Sequence, residues 1–205
     1  MRNYPMSVFL SLLLLMTSLH GEVLAQCSTN LRNDDTNIGI RSFGRQFAEN
    51  VEVEIGNSFL LDCPAQFLSI EATFVFSEGT INEHPPLALG DTLYCAIRDQ
   101  NRDSIMTEQI VIPLADLDQK LTFDFSAHEF KLDAGQYYFM IGTHQDRYGY
   151  VELGSEYTDG ASQVTIDGVW YEQSLDTMFN MYWDPDSPFV PTKEMNWGTM
   201  KACYR

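Results

Sequence analysis

Residues 121–154 read LTFDFSAHEFKLDAGQYYFMIGTHQDRYGYVELG. Leu121, Phe123 and Phe125 alternate with Thr122 and Asp124, the period of a strand that buries one face. Asp133-Ala134-Gly135-Gln136 carries turn residues. Tyr137 to Thr143 is apolar on both faces, which predicts a central strand. His144 to Arg147 turns the chain, and Tyr148 to Leu153 follows as a third strand.

The same pattern extends outward. Leu68, Ile70, Ala72, Phe74 and Phe76 alternate with Ser69, Glu71, Thr73, Val75 and Ser77. Val51, Val53 and Ile55 alternate with acids, and Gly56-Asn57 reads as the turn that follows. Leu93, Cys95 and Ile97 share one face of Thr92 to Arg98, and a polar turn at residues 99–104 leads to a returning strand over residues 105–114. Ala115 to Lys120 reads as a loop. Asp167-Gly168 joins residues 163–166 to 169–172 as a two-residue hairpin. Met178 to Trp183 closes the series, and residues 26–45 read as polar loop. About ten short strands at regular spacing, with no amphipathic helix, predict an all-β, two-sheet antiparallel β-sandwich. Jelly-roll connectivity is preferred over immunoglobulin-like.

Residues 1–25 have the layout of a signal peptide, with Arg2, an apolar run from Val8 to Leu15 and Val23-Leu24-Ala25 before the expected cut. The apolar run is shorter than the roughly 20 residues a membrane span needs. The organisation expected is a leader at 1–25, a sandwich at 26–183 and a C-terminal tail at 184–205 packed on it. Against 12 Lys+Arg stand 29 Asp+Glu, a net charge of −17. Removing the leader takes one charge of each sign, Arg2 and Glu22. Such an excess repels phosphate, so nucleic acid is excluded as a partner.

Four cysteines, Cys27, Cys63, Cys95 and Cys203, outlast the leader. In an exported chain this even number predicts two disulfides with three connectivities open. The preferred pairing joins Cys27 to Cys203 at the termini and Cys63 to Cys95 between strands. Leu24-Ala25-Gln26-Cys27 also resembles a lipoprotein signal, with Cys27 acylated, although Gln26 stands where a small residue is wanted and three thiols would remain. Secretion or export to the periplasm is the expected destination.

Several short motifs occur in a familiar order. They are Gly56-Asn57-Ser58-Phe59, Leu93 to Asp99, LTFDFS at 121–126, LDAGQYYF at 132–139, YVELG at 150–154 and Asp167-Gly168-Val169-Trp170, with MFNMYW last. This order resembles the secreted jelly-roll, carbohydrate-binding-module-like β-sandwich that recurs in extracellular proteins of Bacteroidota-type bacteria. The likeness spans Phe47 to Trp183. It implies a fold and an extracellular setting, and it carries over no catalytic residue.

The chemistry is sparse. There is no G-x-S-x-G elbow. His144 and Asp146 stand two apart in a turn without an obvious nucleophile. A hydrolase would need paired carboxylates, for which Glu152 and Glu156 beside Trp170 are the candidates. Asp99, Asn101 and Asp103 copy the first three ligand positions of an EF-type calcium loop, but Ser104 and Ile110 break the match; an Asx turn reads better, and Asp184 with Asp186 is weaker still. No cofactor is required by these residues, and calcium is the one candidate. Tyr148, Tyr150, Tyr157, Trp170, Tyr171 and Trp183 cluster late in the chain. Flat rings stack on pyranose faces, so Tyr148, Tyr150, Trp170 and Tyr171, with Glu152 as hydrogen-bond partner, form the candidate ligand-binding set. The expectation is a non-enzymatic module that binds extracellular polysaccharide. A structural or adhesive module binding a surface protein is second, and a small glycoside hydrolase third.

Overall fold

The computed structural model describes residues 27–33, 39–45, 51–76, 84–113, 118–129, 131–154 and 160–186. The expected leader, Cys203 and all of the tail beyond Asp186 lie outside these residues, as do Glu156 and Tyr157. Among the described residues there are thirteen strands and no helix. In chain order they are β1 (Asn30–Asn33), β2 (Gly39–Arg45), β3 (Glu52–Leu61), β4 (Ala65–Val75), β5 (Thr92–Arg98), β6 (Ser104–Val111) and β7 (Asp118–Asp124). Then follow β8 (Lys131–Leu132), β9 (Gly135–Gly142), β10 (Tyr148–Leu153), β11 (Ser162–Ile166), β12 (Val169–Gln173) and β13 (Phe179–Asp184). All the strand ladders are antiparallel and run β1-β13-β4-β10-β2-β3-β9-β5-β6; β7 and β8 sit on the other edge of β4, and the β11–β12 hairpin sits on β3. The all-β antiparallel reading holds.

The sheet folds over on itself and so encloses the apolar side of its strands. Phe59 of β3 meets Phe67 of β4 at 5.9 Å between ring centres, and Phe139 of β9 meets Phe179 of β13 at 5.0 Å. Neither strand pair is hydrogen-bonded, so these rings face each other across the interior. The short ladders of β10 with β4 and of β2 with β3 carry the sheet around the corner. Leu93, Cys95 and Ile97 are fully buried in this core, as their alternation predicts. The 167–168 turn has positive φ at both Asp167 (49°) and Gly168 (76°), which a two-residue hairpin requires.

Four sequence expectations change. β3 runs straight through Gly56-Asn57, where a turn was expected. Gly56 is there because β9 passes too close for a side chain: a Cβ would lie 1.7 Å from the Phe139 carbonyl oxygen. Asn57 is fully buried, and its amide donates to Asp176 Oδ1 at 2.6 Å while its oxygen accepts the Thr177 N–H at 3.0 Å. Polar residues here read as a turn, yet the Asn57 amide is bonded at both ends inside the protein. Residues 26–45 contain β1, an edge strand on β13, and β2, which lies between β10 and β3 and buries Phe43. β7 begins at Asp118, inside the expected 115–120 loop, because β4 supplies a partner as far as Val75. A register shift in the β13–β4 ladder, opposite Leu68, turns Phe67 inward and leaves Leu68 half-buried, against the expected alternation.

The disulfide expectation is also corrected. Cys27 pairs with Cys63, whose Cα lies 5.9 Å away, and not with Cys203. This bond ties the segment before β1 to the β3–β4 turn, where Ser28 Oγ also donates to Asp62 Oδ2 at 2.9 Å. It also uses up Cys27 as an acylation site. Cys95 is a buried thiol in mid-β5, inside the core and remote from Cys63 at the end of the fold. Burial, and secondarily the Glu54 carboxylate, push its pKa well above the ordinary thiol value. Cys95 is therefore expected to stay unmodified when the native protein is treated with iodoacetamide and to react once denatured, as read by peptide mapping. Native-state labelling of Cys95 would contradict its place in the core.

Candidate functional site

The side chains that converge are on the outer face of the layer formed by β12, β11, β3, β9 and β5. On β3, Val53 and Ile55 turn into the core, so Glu52 and Glu54 turn outward. Strand register then builds a row across the sheet. Trp170 stands opposite Thr165, Thr165 opposite Glu54, and Tyr94 opposite both Gly142 and Gln109. The Ile55–Ile141 pairing brings Gly142 beside Glu54 and completes the row. Gly142 is the floor over which Tyr94 lies: a Cβ there would be 2.5 Å from the Tyr94 hydroxyl oxygen.

Glu54 is the hub. Its Oε1 accepts from Tyr94 Oη at 2.9 Å and from Arg98 Nη2 at 2.6 Å, and its Oε2 accepts from Thr165 Oγ1 at 2.8 Å. The carboxylate is buried, so these three donors replace the water it has lost. Burial, followed by the charge of Glu54, pushes the Tyr94 pKa far above the ordinary phenol value, and the hydroxyl stays a proton donor. Its second acceptor is Glu52 Oε1 at 3.3 Å. His144 stacks on the Tyr94 ring, with centres 4.3 Å apart and planes 18° apart, and its Nδ1 lies 3.5 Å from Glu52 Oε1. The His144 side chain is 68% exposed, so the outer face of the imidazole is open to solvent.

Together Glu52, Glu54, Tyr94, Arg98, His144, Thr165, Asp167 and Gly168 line a cleft of about 310 Å³. A second cleft of about 180 Å³, lined by Thr92, Tyr94, Gln109, His144 and Gln145, adjoins it across the stacked pair. Asp167 is held in place by the hairpin: its Oδ1 accepts the Glu52 N–H at 3.1 Å, and its own N–H donates to the Glu52 carbonyl at 3.0 Å. The lining carries three carboxylates against one guanidinium, which disfavours anionic ligands. What it offers is a set of hydrogen-bond acceptors beside a flat ring.

The residues singled out from sequence divide. Trp170 does not line this cleft, but it stacks with Arg98, which does. Arg98 and Arg102 sit 5.4 and 4.7 Å from its ring centre, and Tyr138 meets it edge-on at 5.3 Å. Tyr171, on the opposite face of β12, is 47% exposed and does not join it. Tyr148 is only 2% exposed, which removes it as a stacking platform; it packs edge-on against Tyr150. Tyr150 and Glu152 lie on β10, separated from β12 by β2, β3 and β11. The late aromatics are thus not one cluster, because neighbours along the chain alternate in face and diverge in layer.

His144 and Asp146, two apart in the turn, also separate. Asp146 pairs with His84 at 2.8 Å, while His144 faces Glu52. Asp99 is occupied by its own turn, where its Oδ1 accepts the backbone N–H groups of Asn101 and Asp103 at 2.8 and 3.0 Å. Asp184 does the same for Asp186 at 2.9 Å. The Asx-turn reading of Asp99, Asn101 and Asp103 accounts for these bonds. Among the described residues no group of three or more His, Cys, Asp or Glu is placed to hold a metal ion. Among the described residues there is no helix long and apolar enough to cross a membrane.

Sequence reading missed Glu52, Glu54, Tyr94, Arg98 and Thr165 as site residues. The signal for the two glutamates was present, since they are the outward members of the Val51–Ile55 alternation. Their partners come from strands 40 to 111 residues away in the chain, which only the register reveals. No family model matches this chain, and no curated protein matches it.

Proposed function

We propose that this protein is a non-catalytic binding module for a neutral, polyhydroxylated ligand, an extracellular glycan, held in the outer-face cleft. The carrying observation is the half-enclosed cleft of about 310 Å³ with Glu52 and Asp167 as hydrogen-bonding groups and the exposed His144 ring on its rim. A sugar presents a weakly apolar ring face and a rim of hydroxyls. The imidazole face takes the first, and the carboxylates accept from the second. The tightly bonded Glu54 network keeps the wall rigid, which limits the ordering cost of binding. A disulfide within the chain suits an oxidising compartment outside the cytosol. The jelly-roll likeness to extracellular modules agrees with this reading.

Glycan-array or polysaccharide pull-down binding tests the proposal. His144→Ala and Glu52→Gln are each expected to lower affinity about tenfold, the effect of losing roughly 1.4 kcal/mol. Tyr171→Ala and Tyr150→Ala are expected to leave affinity unchanged, since neither side chain reaches the cleft. Binding that follows Tyr171 and ignores His144 would transfer the site to the β12 edge and favour a protein-binding, adhesive role.

A further inference from the structure

We infer that the ligand is a linear oligosaccharide lying across the strands, with a first subsite at Glu52 and Asp167 and a second at Gln109 and Gln145. This deepens the glycan reading and rests on it. The two adjoining clefts, of about 310 and 180 Å³, share Tyr94 and His144 as their common wall. Tyr94 and Gln109 are opposite each other in the β5–β6 ladder, so both clefts open on the same face. From Thr165 on β11 to Gln109 on β6 the path crosses β3, β9 and β5. Four inter-strand spacings of about 4.8 Å give a span of roughly 19 Å, longer than a single sugar ring.

The chemistry of the two ends differs. The first subsite is charged, with Glu52, Asp167 and the Arg98–Glu54 pair. The second is lined by no Asp, Glu, Lys or Arg, and it offers amide and hydroxyl groups from Gln109, Gln145 and Thr92. Gln145 is held for this role: its Oε1 accepts the Thr92 N–H at 2.9 Å, which orients the amide so that its NH₂ remains to donate. Between the subsites the open face of His144 stands as the central platform. One ring there, hydroxyl acceptors on one side and amide donors on the other, suits a chain that enters and leaves. A pocket for a chain end would be closed on one side.

Titration calorimetry with size-defined neutral oligosaccharides of one to six units, prepared from β-glucan, xylan and mannan, tests this. For the series that binds, affinity is expected to rise at least tenfold from one unit to four and to level off beyond. Gln109→Ala is expected to lower affinity for the four-unit ligand several-fold more than for the one-unit ligand. A monosaccharide that binds as tightly as the tetramer, with Gln109→Ala weakening both equally, would overturn the two-subsite inference and leave the glycan reading standing. No binding by any series or by the parent polysaccharides would withdraw both.

Discussion

Gly56→Ala is expected to cost more than about 4 kcal/mol, a large part of the 5–15 kcal/mol that holds a domain of this kind together. The methyl group would fall 1.7 Å from the Phe139 carbonyl oxygen and 2.7 Å from its carbon. Those are backbone atoms in the β3–β9 ladder, whose register runs unbroken from Ile55–Ile141 to Leu61–Gly135. No rotamer change relieves the clash. Relief requires β9 to move away from β3, which breaks ladder bonds and separates Phe59 and Phe139, both fully buried, from their neighbours. Urea unfolding is the measurement, with Gly39→Ala as control. Gly39 has nothing within 4 Å of its would-be Cβ, and that variant is expected to stay within about 0.5 kcal/mol of wild type. A Gly56→Ala protein that unfolds at the wild-type midpoint would show that the β3–β9 packing is wrong.

Glu54→Ala is expected to destabilise by about 3 kcal/mol, the lower end of what breaking a buried ion pair costs, and to abolish ligand binding. Arg98 would lose its counter-ion in a site where its side chain is only 21% exposed. Thr165, buried, would lose the acceptor for its hydroxyl, and Tyr94 would keep only the longer bond to Glu52. For a chain of this size that loss lowers Tm by roughly 6–12 °C. Glu54→Gln keeps an oxygen acceptor and the side-chain volume, so it is expected to cost clearly less than Ala while still weakening binding. Thermal melts of both variants, alongside binding to the wild-type ligand, separate the two roles. If Glu54→Ala melts with wild type, the cleft wall does not depend on the Glu54 network.

Local pattern accounts for much of the fold. The alternation in Leu121–Phe125, in Leu93–Ile97 and in Val51–Ile55 was readable because a strand shows its two faces in turn, whatever it pairs with. The Asp167-Gly168 hairpin was readable because only residues that tolerate positive φ make that turn. Reading failed where a non-local partner overrode local chemistry. Gly56-Asn57 signals a turn until β9 on one side and Asp176 on the other hold it extended. Cys27 and Cys95 were assigned partners by parity, but burial in mid-strand keeps Cys95 a thiol and the β3–β4 turn delivers Cys63 to Cys27.

The site divides the same way. From sequence alone, this chain is determined to be an acidic, all-β, antiparallel protein with glutamates on the face opposite Val53 and Ile55, because charge and two-residue periodicity are properties of the chain itself. The cleft was decided only by tertiary structure. Register set Thr165, Glu54, Gly142 and Tyr94 side by side from β11, β3, β9 and β5, and the absence of a side chain at Gly142 let Tyr94 lie down toward Glu54. Folding likewise buried Tyr148 and set Trp170 against two arginines. Which aromatic faces a ligand depends on neighbours distant in the chain, and those neighbours exist only once the strands have paired.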